Sequence, residues 1–174
     1  DLDKINFSGL KFRSVGPALT AGRIADIDVN KNNSKIYYVA VASGGLWKTQ
    51  NSGNTFEPIF DNEGSYSIGC VKIDPNNEHT IWVGTGENNN QRSVAYGDGV
   101  YRSLDDGKTW KNMGLKNSEH IGMIEIDPNN SNKIYVAAYG PLWKEGGERG
   151  LYFSEDRGKE WKLILQTNKH TGIN

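Results

Sequence analysis

The chain has 174 residues, enough for one domain with a sizeable core. Its 20 basic and 21 acidic side chains leave a formal net charge of −1, and no basic run stands out, so nothing in the charge suggests a nucleic-acid or anionic-membrane partner. No apolar run approaches the ~18 residues of a membrane span, 21 glycines speak for turns rather than long helices, and the single Cys70 rules out an internal disulfide.

In chain order, the first strand-like segment is LKFRSV, Leu10–Val15. It precedes a longer pattern that repeats three times. Each unit opens on a segment with apolar residues at nearly alternate positions: RIADIDVN (Arg23–Asn30), SIGCVKIDP (Ser67–Pro75) and HIGMIEIDP (His120–Pro128). That period belongs to a strand with one face buried. An Asn-rich turn follows each time (NKNNS, DPNNE, DPNNS), where Pro fixes φ and Asn tolerates left-handed backbone. A β-branched and aromatic second strand comes next: KIYYVAV (Lys35–Val41), TIWVGT (Thr80–Thr85) and KIYVAA (Lys133–Ala138). A short third strand (GLWKT, GVYRS, GLYFS) leads into a conserved-looking turn, and a fourth follows it (FEPIF, WKNMG, WKLIL).

The turn reads Ser/Thr-x-Asp/Asn-x-Gly-x-x-aromatic. Its three copies use Thr49, Asn51, Gly53 and Phe56, then Ser103, Asp105, Gly107 and Trp110, then Ser154, Asp156, Gly158 and Trp161. They recur roughly every 50 residues, the period of propeller blades with four strands each. Asp or Asn can accept hydrogen bonds from its own turn, the hydroxyl adds another, and glycine takes a conformation that a Cβ penalises. The aromatic residue is expected to insert between packed sheets, and the acidic residue to serve the turn rather than chemistry.

The predicted fold is an all-β propeller of four-stranded antiparallel blades, treated as one partial domain over 1–174. Residues 22–60, 67–113 and 120–165 form three blades. Residues 10–17 supply the outer strand of a closing blade, and 170–174 begin a further one. Three blades leave sheet faces and edges open, so the expectation is a piece of a longer propeller whose remaining blades, on this chain or another, complete the ring.

The turn motif resembles the Asp-box, or BNR, repeat of sialidases, sortilin-type (Vps10) propellers and xyloglucan-cleaving glycoside hydrolases. The series FRSVGPALTAGRIADI, VASGGLWKTQNSGNTF, IWVGTGENNN, YGDGVYRSLDDGKTW and HIGMIEIDP is similar to the N-terminal part of large secreted bacterial proteins with sortilin-like, glycosyl-hydrolase-like repeats. The resemblance covers nearly the whole chain from Phe12 onward. It implies export, to the cell surface, the periplasm or the medium, and a longer chain. It does not imply one activity, because propellers host many.

Loops between strands two and three share a face with the links between blades, opposite the repeated turns. Two are long: GENNNQRSVAYGD (Gly86–Asp98) and YGPLWKEGGERG (Tyr139–Gly150). Long loops on a rigid scaffold are where binding concentrates. The candidate ligand residues are therefore Glu87, Asn88, Asn89, Asn90, Arg92, Tyr96 and Asp98 in one loop and Trp143, Glu148 and Arg149 in the other. Arg23, at the start of the first inner strand, joins them, with a salt bridge to Asp26 or Asp98 as its structural role. His120 reads as a structural histidine and Cys70 as a buried small hydrophobe.

No phosphate loop, nucleophile elbow, zinc spacing or EF-hand pattern occurs, so no cofactor or metal is expected. The leading functional expectation is a non-catalytic binding or scaffold module for a peptide, protein or glycan, with no catalytic residue assigned. The alternative is a xyloglucanase-like or sialidase-like glycoside hydrolase whose acids lie partly outside these residues. The resemblance implies, for xyloglucan-cleaving enzymes, a catalytic Asp just before the Gly pair. Here Ala42 and Ser43 precede Gly44-Gly45, leaving Glu87 and Asp98 as the one acid pair to consider.

Overall fold

A computed structural model describes residues 22–88 and 94–173. The proposed outer strand at 10–17 and the end of the 170–174 segment fall outside these residues. Twelve strands form three four-stranded antiparallel sheets, each in sequential order. The first sheet holds β1 (Ile24–Val29), β2 (Tyr37–Val41), β3 (Gly45–Thr49) and β4 (Glu57–Pro58). The second holds β5 (Ile68–Asp74), β6 (Asn77–Thr85), β7 (Val100–Ser103) and β8 (Lys111–Gly114). The third holds β9 (Ile121–Ile126), β10 (Ile134–Ala138), β11 (Gly150–Ser154) and β12 (Lys162–Leu165). A 3-10 turn at Lys116–Ser118 joins the last two sheets. This is the expected all-β, propeller-type arrangement, with β1, β5 and β9 side by side as inner strands.

The apolar alternation explains the packing. Tyr38, Ala40, Leu46 and Phe60 of the first sheet meet Ile68, Val71, Ile81 and Val83 of the second. Trp82, Val100 and Met113 of the second meet Ile121, Ile124, Ile134 and Val136 of the third. Each fully buried aliphatic side chain stabilises by about 1.5–3 kcal/mol. In the first sheet the same positions have nothing to meet among the described residues. Ile24 is 63 % exposed, whereas its counterpart Ile68 is fully covered. Phe56 is also exposed, unlike the expectation, because among the described residues no preceding sheet lies over it.

The repeated turn has one geometry throughout. Ser103 Oγ accepts the N–H groups of Asp105 (3.2 Å) and Gly107 (2.8 Å) and donates to Asp105 Oδ1 (2.7 Å). Asp105 Oδ1 in turn accepts the N–H of Thr109 at 2.9 Å. Thr49–Asn51 and Ser154–Asp156 reproduce the set. The residue before each glycine is left-handed: Ser52, Asp106 and Arg157, at φ 61, 63 and 64°. The aromatic residue then reaches backwards. Trp110 Nε1 donates to Ile59 O of the first sheet (2.7 Å), and Trp161 Nε1 to Met113 O of the second (2.8 Å).

Carboxylates from one inner strand cap the next. Asp26 accepts the N–H of Val71 (3.0 Å) and Asp28 that of Ile73 (2.7 Å), satisfying donors on the open edge of β5. Between β5 and β9 the same level carries the Lys72–Glu125 ion pair at 2.9 Å.

Two predictions follow from this stitching. Trp161→Ala should lower the urea midpoint by an amount equivalent to about 3 kcal/mol. Trp161→Phe, which keeps a ring but loses the indole donor, should cost about 1 kcal/mol; equal losses would sink the hydrogen-bond part of the account. The second concerns acid. Hydrogen bonds from the Thr109 hydroxyl and N–H hold the Asp105 carboxyl down at about 2, against an ordinary 3.8. Its contribution is therefore present above about pH 4 and lost as pH falls through about 2. Asp105→Asn, which installs the residue already used at Asn51, should remove this loss, so that midpoint differences between wild type and variant shrink from pH 4 to pH 2.

Candidate functional site

The face built by the β6–β7 loop, the β8–β9 link and the β10–β11 loop carries a concave site. Tyr96, Gly97, Glu119, Trp143 and Lys144 line a cavity of about 490 Å3. Trp143 is 64 % and Tyr96 55 % exposed, unusual for such large rings. Glu119, in the β8–β9 link, and Lys144, beside Trp143, form an ion pair at 2.6 Å. The site therefore offers two open π-faces and a charged pair that can both accept and donate hydrogen bonds.

Each part is held from behind. Glu119 sits in left-handed backbone, φ 66°, and its carbonyl accepts the N–H of Gly97 at 2.8 Å, which ties the link to the β6–β7 loop. Tyr96 leans on the fully buried His120, ring centroids 5.6 Å apart. Burial holds the His120 imidazole below its usual range; Glu119 opposes this and the nearby Arg149 cation adds to it.

Arg149 organises the Trp143 loop. It is 4 % exposed. Its guanidinium donates to the carbonyls of Tyr139 (2.8 Å), Lys144 (2.7 Å), Gly146 (2.9 Å), His170 (3.3 Å) and Pro141. Five carbonyl dipoles stand where a carboxylate would otherwise be needed. Glu148, its neighbour in sequence, accepts the N–H of Asn117 at 2.7 Å.

The other described sequence candidates are engaged elsewhere in the protein. Glu87 is 2 % exposed and pairs with Arg23 rather than leaving it to Asp26 or Asp98. Asn88 donates to Gly122 O (3.3 Å) and, more weakly, to Gly69 O (3.5 Å). Asp98 accepts the Tyr101 hydroxyl (2.5 Å) and the Thr85 hydroxyl (3.3 Å). Both carboxylates of the Glu87–Asp98 pair are thus engaged within the protein. Asn89, Asn90 and Arg92 lie outside the described residues. Ala42 is buried, with its N–H donated to Arg23 O (2.9 Å) and its carbonyl taken by Ser67 Oγ (2.6 Å); Ser43 is exposed. Cys70 is buried, which pushes its thiol pKa up and makes it inert.

Sequence reasoning reached Tyr96 and Trp143 but missed Glu119 and Lys144. The available signal was topological: Glu119 lies in an inter-blade link, which shares the face of the two long loops.

No family model matches the chain. It is 27 % identical over 181 residues to the xyloglucanase Xgh74A of Acetivibrio thermocellus, an alignment taking 90 % of this chain and 19 % of that one. It is 29 % identical over 99 residues to a probable oligoxyloglucan-reducing end-specific xyloglucanase of Neosartorya fischeri, covering 54 % of this chain and 10 % of the relative. The fold is similar to that of an ancestral GH74 enzyme (TM-score 0.70, 21 % identity, 88 % of this chain and 19 % of the other). It is also similar to YCF48 from Cyanidioschyzon merolae (TM-score 0.56, 20 % identity, 87 % and 40 %). The chain thus spans about a fifth of the xyloglucanase Xgh74A.

The loop architecture predicts a separation of effects. Trp143→Ala should leave the urea midpoint within about 0.5 kcal/mol of wild type, as for an exposed side chain. Arg149→Met should strip five carbonyls of their donor and lower stability by about 3 kcal/mol or more. Hydrogen exchange at 139–149 is the second readout: fast exchange in the Arg149 variant alone is expected, and equal protection in both would refute the anchoring role.

Proposed function

We propose that this chain is the propeller portion of a longer, exported, glycan-active protein, and that the Tyr96–Trp143 site forms part of its polysaccharide-binding face. The observation that carries the reading is the pair of open aromatic rings beside the Glu119–Lys144 pair. The C–H faces of pyranose rings pack on flat aromatics, and sugar hydroxyls both donate and accept, so a carboxylate next to an ammonium suits them. The likeness to xyloglucanases supports a neutral, branched glucan as the substrate class and glycoside hydrolysis as the activity of the whole protein. On this reading 22–60, 67–113 and 120–165 are successive blades, the repeated turns are Asp-boxes, and further blades complete the ring and supply the catalytic acids.

A second reading, a binding module without turnover, is favoured by one observation. The position where the resemblance calls for a carboxylate is Ala42-Ser43, and Glu87 and Asp98 are both occupied. In both readings the loop face binds and rigid blade packing keeps the ordering cost of binding low.

The test is made on the full-length protein with xyloglucan. Reducing-sugar release together with retardation in xyloglucan-containing native gels is expected for the hydrolase, and retardation with no release for the binding module. Trp143→Ala and Tyr96→Ala should each weaken retardation by roughly tenfold. Absence of both release and retardation on a panel of neutral glycans would overturn the proposal.

A further inference from the structure

The two seams between sheets are built on one plan, with one reversal of charge. On the face of the repeated turns, each sheet pairs an aromatic residue of its second strand with a residue directly across on its third: Tyr38 with Lys48, and Trp82 with Arg102. The cation lies over the ring in both, Lys48 Nζ at 5.6 Å from the Tyr38 centroid and Arg102 Cζ at 5.4 Å from that of Trp82. The left-handed residue of the following turn motif comes next to that cation. At the first seam it is Asp106, whose carboxylate stands 3.9 Å from Lys48 Nζ and 2.9 Å from His79 Nδ1. At the second seam the equivalent residue is Arg157.

The second seam therefore places two arginines on one cavity where the first has a cation and an anion. Arg102 Nη1 donates to Arg157 O at 2.8 Å, and Arg157 Nε donates to Asn132 Oδ1 at 2.8 Å. Arg102 Nε is buried with no hydrogen-bond partner. Among the described residues no carboxylate comes within ion-pair distance of either guanidinium. Burial, and after it the Arg157 charge, lowers the Arg102 pKa, the mark of a cation short of a counter-charge. Both arginines line a cavity of about 390 Å3 together with Thr80, Ser131 and Asp74. Asp74 is itself buried, and its Oδ1 is taken by Asn76 N–H (2.9 Å) and the Ser131 hydroxyl (2.8 Å).

We propose that this seam binds an oxyanion, a carboxylate or phosphate group of a small ligand, between Arg102 and Arg157. The anion takes the place that the Asp106 carboxylate holds at the first seam. Guanidinium forks match planar and tetrahedral oxyanions, and the Thr80 hydroxyl adds a neutral donor. The site lies on the face opposite the Tyr96–Trp143 site and does not depend on it.

The test titrates the full-length protein by calorimetry with inorganic phosphate, and separately with glucuronate, at fixed ionic strength balanced with chloride. Saturable binding of either is expected. Phosphate alone would assign a phosphate ligand, and glucuronate alone a uronic-acid or other carboxylate ligand. Arg157→Asp reproduces the first seam and should abolish binding while raising stability in phosphate-free buffer. Arg157→Ser, which installs the residue found at Ser52 in the first motif, should weaken binding by at least roughly tenfold. No saturable response to either anion, or an unchanged response in both variants, would overturn the proposal.

Discussion

The indole hydrogen bond that runs backwards from the second and third turns to the preceding sheet is the contact on which the rest depends. A four-stranded sheet alone has two apolar faces and cannot cover either. The repeated turn solves this by placing a large ring at the rim of the seam, with its one polar atom on the neighbour's last strand: Trp110 on Ile59, Trp161 on Met113. A nitrogen buried at a seam without that carbonyl would be costly. The bond therefore fixes the spacing of the sheets as well as their attachment. Hydroxyl, carboxylate and glycine set the turn so that the ring points back. Phe56 marks the converse. It has no polar atom to place, and among the described residues it has no sheet behind it.

With sheet spacing set on one face, the opposite face can carry irregular backbone. Arg149 shows how. A buried cation held only by carbonyls keeps a loop in one conformation without any regular ladder, and leaves Trp143 and Lys144 projecting outwards. Burial holds the imidazole of His120, beneath Tyr96, below its usual range; Glu119 opposes this and the Arg149 cation adds to it. Rigidity of the Trp143 loop comes from the carbonyls gathered on Arg149, which leaves its exposed ring free for a ligand.

The strands were legible in sequence because alternation is local: Ile121, Ile124 and Ile126 announce a buried face whatever lies against them. The turn geometry was legible for the same reason, as Ser103, Asp105, Gly107 and Thr109 interact within seven residues. Tyr96 and Trp143 could be found from loop length alone. Arg149 reads as a surface charge until its five carbonyls are brought around it. The Glu119–Lys144 and Arg23–Glu87 pairs join segments from different sheets, and no local pattern encodes them. Sequence fails here because the deciding contacts are tertiary and polar, made by residue types that are ordinarily solvated.

The same distinction bears on catalysis. Ala42 sits fully buried with both backbone groups engaged, N–H to Arg23 and carbonyl to Ser67. A carboxylate there would need counter-charge, and the nearest arginine, Arg23, is already paired with Glu87. Unpaired, it would take up a proton rather than act as a base at neutral pH. What these residues present on the loop face is two exposed aromatic side chains and one charged pair, on a face that packing holds still.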